Sequence, residues 1–177
     1  MARGEAGDIY HLPVHKKSSK VRELWDAPFA NMAGGSSDLR VITQVVESAL
    51  GEIHSITPVH DRVQAAQHAL AQTKASLNPS DAFALAVELF QPLLVDEQNP
   101  LATALYARVH FAFHILEERI LSPIPWAAAP AELKTNLRRL GMLVLTSVGK
   151  QPATHRFPSW VIQKAASLIA AIAAREW

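Results

Sequence analysis

Apolar residues recur along most of this chain at spacings of three and four, the period of one face of an α-helix. The clearest stripe follows "GGSSD" (Gly34–Asp38): Val41, Ile42, Val45, Val46, Ala49, Leu50 and Ile53 predict an amphipathic helix to about Ser55, with Ser37 as its N-cap. Three more starts share one pattern. Thr57-Pro58, Asn78-Pro79 and Asn99-Pro100 each set a capping side chain before a proline at the first helical position, where the missing N–H costs nothing. They stand 21 positions apart, twice running, but only the proline and one alanine (Ala65, Ala86, Ala107) align. One helix per period is also too short for a helix-pair repeat, so the spacing reflects helices of similar length.

The helix from Asn78 carries Phe83, Val87 and Phe90 and is expected to end or kink near Pro92. The next runs from Pro100 to about Leu121, and "SPIPWAAAP" (Ser122–Pro130) predicts a proline-rich turn whose Trp126 tucks into the core. Leu133, Leu137, Leu140, Val144 and Val148 mark a further helix stopped by Gly149. Val161, Ala165, Leu168 and Ile172 mark the last. No window holds the strand period for long. The expectation is an all-α single domain, an antiparallel bundle or array of about six helices over residues 38–177. Residues 1–37, rich in Gly, Ser and scattered charge, are expected to form an N-terminal extended arm with a short helix near Ser19–Trp25.

A chain of 177 residues holds one domain with a sizeable core, and its 49% apolar and 19% charged composition argues against general disorder. It has no cysteine, which removes thiol nucleophiles, disulfides and Cys-ligated metal sites together. The first residues lack the apolar core of a secretory signal, and no run reaches the ~18 apolar residues of a membrane span. The expected setting is cytoplasmic, away from membranes.

The helix "RVHFAFHILEER" (Arg108–Arg119) holds the most suggestive chemistry. Leu105, Val109, Ala112, Phe113, Leu116 and Ile120 form one broad apolar face, and Phe111 with Ile115 a second strip. His110, His114 and Glu117 fall in a narrow arc between them, where all three could reach one metal ion. The order is neither HExxH nor the Glu-x-x-His of carboxylate-bridged di-iron bundles. A closed site would also need a ligand from elsewhere, such as His60 or His68. Pairing of His114 with Glu118 on the helix surface explains the pattern more cheaply, so no cofactor is expected. The adjacent Glu117 and Glu118 point about 100° apart and cannot act together on one substrate atom. No phosphate loop, nucleophile elbow or spaced triad appears, and an enzyme is not expected.

Charge is uneven although the net value is only +1. Asp81, Glu88, Asp96, Glu97, Glu117 and Glu118 face only Arg108 in the middle of the chain, whereas the last third is basic. The two sets would pair across the surface, or the basic set would meet an acidic partner. Lys134, Arg138, Arg139, Arg156 and Lys164 define an alternative nucleic-acid surface, sparse beside a typical basic stripe and without interleaved aromatics. In the arm, Tyr10, Trp25 and Phe29 with Lys16, Lys17 and Lys20 either wrap the bundle or dock on a partner protein. The leading expectation is a non-enzymatic interaction module, an adaptor, regulator or inhibitor. It would bind a protein partner or itself, with the C-terminal helix as the seam of a homodimer. The alternatives are a helical nucleic-acid-binding regulator and a metal or small-ligand protein at His110/His114.

Overall fold

A computed structural model describes residues 37–95, 103–149 and 157–176. They form α1 (Ser37–Ile53), α2 (His60–Ser76), α3 (Pro79–Val95), α4 (Thr103–Arg119), α5 (Pro123–Ala128), α6 (Ala131–Gly149) and α7 (Ser159–Glu176). No strand occurs among the described residues, and the fold is all-α, helix packed on helix. The arm with Tyr10, Lys16, Lys17, Lys20, Trp25 and Phe29 lies outside the described residues, as do Asn99-Pro100 and Arg156.

Helix α3 is central because it is apolar nearly all round. Ala82, Phe83, Leu85, Ala86, Leu89, Phe90 and Leu93 are all buried, against α1, α4 and α6. The α4 pattern read from the sequence is realised on both faces: Val109, Ala112, Phe113, Leu116 and Ile120 are buried, and so are Phe111 and Ile115. Phe90 and Phe113 meet edge to face, with ring centroids 4.9 Å apart. At the other end of this pair, the Arg119 guanidinium donates twice to the Leu77 carbonyl, at 3.0 and 2.6 Å, tying the exit of α4 to the entrance of α3. The two helices therefore run antiparallel. Helices α6 and α7 do the same, with Gly141 against Leu168 and Ile169, and Arg138 bonded to Glu176 near the end of α7.

Local starts follow the sequence where a side chain really caps. Asn78 Oδ1 accepts from the Asp81 N–H at 2.9 Å, as an N-cap should. Thr57 does not behave this way. Helix α2 begins at His60, behind Val59, which has no side-chain cap. The expected start was two residues early, and with it the even spacing dissolves. Pro92 does not end α3, which continues to Val95; Leu93, buried in the core, holds the last turn in place despite the lost donor. Trp126 is buried as expected, but "PIPWAA" is a short helix instead of a turn, with proline at its first position.

Candidate functional site

Two surfaces merit a functional reading. The first is the seam where α4 meets α7, and it contains the histidines. His110 and His114 stack one turn apart with ring centroids at 5.5 Å, and Trp160 from α7 stands edge-on to His110 at 5.7 Å. Tyr106, one turn earlier, also meets Trp160. A hollow of about 450 Å³ opens here between His110, Trp160, Gln163, Lys164 and Ser167. The contact with Trp160 desolvates one edge of His110 and lowers its pKa; the neighbouring charges of His114 and Lys164 add to this, and Glu117 opposes it. The ring is thus biased towards its neutral form.

The carboxylates divide as the helical period demands. Glu117 receives the Lys164 ammonium at 2.7 and 2.9 Å. Glu118 turns the other way, to Lys74 of α2 at 2.8 Å and to His114 Nδ1 at 3.0 Å. The Lys74 hydrogen bond is the main reason that the Glu118 carboxyl sits below its ordinary pKa, against a smaller upward push from burial. Of the proposed metal trio, His110 and His114 are adjacent while Glu117 faces Lys164. His60 and His68 lie on the exposed side of α2, each against a glutamine one turn on, Gln64 and Gln72. Among the described residues, no three histidine, aspartate or glutamate side chains converge as a metal site would require.

The basic residues of the last third are spread over several neighbours. Lys134 lies over the Trp126 ring, 5.3 Å from its centroid, Arg138 pairs with Glu176 and Lys164 with Glu117. Arg139 is exposed. The pairing of the acidic middle with the basic end is seen directly in Glu117–Lys164, while Arg108 of α4 pairs with Glu47 of α1.

The second surface was not legible in advance. Val41 and Val45 belong to the apolar stripe of α1, yet they are 58% and 41% exposed. Across from them, α2 offers Ala65, Ala66 and Ala69, whose side chains are too short to fill the space between the helices. The result is a groove of about 590 Å³ floored by Val41, Val45, Ala49 and the three alanines, with Gln44, Ser48, Glu52 and Arg62 around it. The turn beyond adds Ile56 and Val59, also exposed. Among the large apolar side chains exposed in the described residues, four of seven are therefore on this one hairpin. Helix α2 buries only Ala66, little for 17 residues, since an isolated helix of that length is marginal in water.

Compared with known proteins, the chain matches no family model, no curated protein and no solved structure. Among the described residues, no helix is long and apolar enough to cross a membrane.

Proposed function

We propose that this chain is a non-enzymatic protein-interaction module, an adaptor, regulator or inhibitor, that receives an apolar segment of a protein in the groove between α1 and α2. The observation that carries the reading is the groove itself: an apolar floor with polar residues at its margin, on a hairpin that holds most of the large apolar side chains exposed among the described residues. That is the geometry that receives an amphipathic helix, with anchors every three to four residues. Core formation alone does not call for it. An aliphatic residue at Ala65 or Ala69 would close the space, and the α1 valines would then be covered from within.

The test is a photo-crosslinking residue at position 45 of the full chain, expressed in its native host, with position 142 on α6 as the exposed control. The expected result is one protein joined at 45 and not at 142. In purified form, its affinity for the chain should fall at least about tenfold with Val45→Lys, the size of a modest interface anchor. If position 45 captures no protein, a second copy included, the reading is wrong.

A further inference from the structure

We infer that the resident occupant of the α1/α2 groove is the chain's own segment around residues 21–29, laid across the alanines of α2. The inference rests on the reading of the groove as a receptor for an apolar segment, and names that segment. Three observations carry it. The groove begins one turn into α1, and α1 begins at Ser37, so the arm enters the fold beside the groove. The eight residues from Phe29 to Ser37 can span up to about 26–29 Å when extended, while the 12 steps from Ser37 to Ala49 along α1 cover only about 18 Å. Every part of the groove is therefore within reach.

The second observation is the fit of side chains to space. Val21, Leu24 and Trp25 are spaced three and one apart, the spacing of one face of the short helix that the sequence predicts, and Pro28 follows before Phe29. Large apolar side chains on the arm would meet Ala65, Ala66 and Ala69, the positions where α2 leaves room. The third is α2 itself. It packs along α1 and is tied to α4 by Lys74–Glu118, but it fully buries only Ala66, with Leu70 partly buried against the core. A third helix laid over both α1 and α2 would add the apolar burial that holds a 17-residue helix. The seated arm would also cover Val41 and Val45, and any partner would then reach the groove by displacing it.

The absence of cysteine makes the test direct, because one introduced thiol is the only one in the chain. A nitroxide on Ser48→Cys, an exposed position at the groove, is placed in the full-length protein and amide spectra are recorded. The expected result is loss of the amide signals of residues 21–29, reversed when the nitroxide is reduced. In a second measurement on the full chain, Trp25→Ala/Phe29→Ala should cut hydrogen-exchange protection in α2 by about tenfold and leave α6 unchanged.

Persisting signals for residues 21–29 beside the nitroxide overturn the inference. So does signal loss seen only when spin-labelled chains are mixed with isotope-labelled ones, which would assign the groove to a second copy. Unchanged α2 protection in the double variant overturns it as well. The outcome is separable from that of the crosslinking. A seated arm with no captured protein is a completed core and nothing more. A captured protein with unaffected arm amides is an open receptor that the arm does not occupy.

Discussion

At the scale of single residues, Gly141 shows how closely two helices can approach. A Cβ built there would stand 2.7 Å from the δ-methyl of Ile169 and 3.6 Å from a Leu168 methyl. The near atom is the end of a flexible side chain, so an added methyl displaces Ile169 instead of parting the helices. In the wild-type background, Gly141→Ala should be close to neutral. The helix gains about 0.5–1 kcal/mol from losing glycine's backbone freedom, and moving Ile169 offsets it. With Ile169→Val already in place, the δ-methyl is gone, and adding Gly141→Ala should raise stability by about 0.5–1 kcal/mol in urea titrations. A loss of stability in that background would show that the α6 backbone, and not the Ile169 tip, sets the limit. Asn78 and Arg119 work on a longer lever. One caps a helix and the other joins two elements 42 positions apart through the Leu77 carbonyl.

At the scale of elements, the sequence foretold the long helices and the buried faces of α3, α4, α6 and α7, but not the short helix α5, nor which stripe residues of α1 would find a neighbour. Phe113, Leu116 and Ile120 were legible because an apolar stripe wide enough for two partners must lie inside. Val41 and Val45 were read as part of the apolar stripe of an amphipathic helix. They are exposed because their opposite number is alanine, a fact written on another helix. Pairing of His114 with Glu118 was legible at four residues' separation, whereas that of Glu117 with Lys164, 47 positions away, was not. Caps were half legible, since Thr57-Pro58 and Asn78-Pro79 look alike and only the second starts a helix at its proline. Substitution should expose the difference. Asn78→Ala is expected to cost about 1 kcal/mol of stability through the lost cap, and Thr57→Ala less than about 0.5 kcal/mol. Comparable losses at both sites, measured by chemical denaturation, would contradict the assigned start of α2.

At the scale of the whole molecule, two depressed pKa values make stability depend on acid. His110 has its ordinary value of 6.5 in the unfolded chain and a lower one when folded, through contact with Trp160 and the charges of His114 and Lys164. Just below pH 6.5 the unfolded chain takes up a proton that the folded chain resists, so stability falls as pH falls and levels off beneath the folded value. Glu118 acts in the same direction further down. Its stabilisation by Lys74 is full above the ordinary 4.5 and is lost as pH drops through the lowered folded value. Melting temperature should therefore decline in two stages on acidification. His110→Gln should flatten the first and Glu118→Gln the second. Both groups are partly exposed, so the steps should shrink in high salt. A decline that neither substitution alters would place the acid sensitivity elsewhere.

The divergence of Glu117 and Glu118 has a mechanical meaning. Neighbouring carboxylates on α4 are fastened to different neighbours, one to α7 and one to α2. If α4 turned about its own axis in either sense, one tether would slacken and the other would be drawn tight. Each pair is half-exposed and contributes little as an adhesive. Together they act as guy-lines on a mast, fixing the azimuth of the helix whose two apolar faces must each meet their own neighbour.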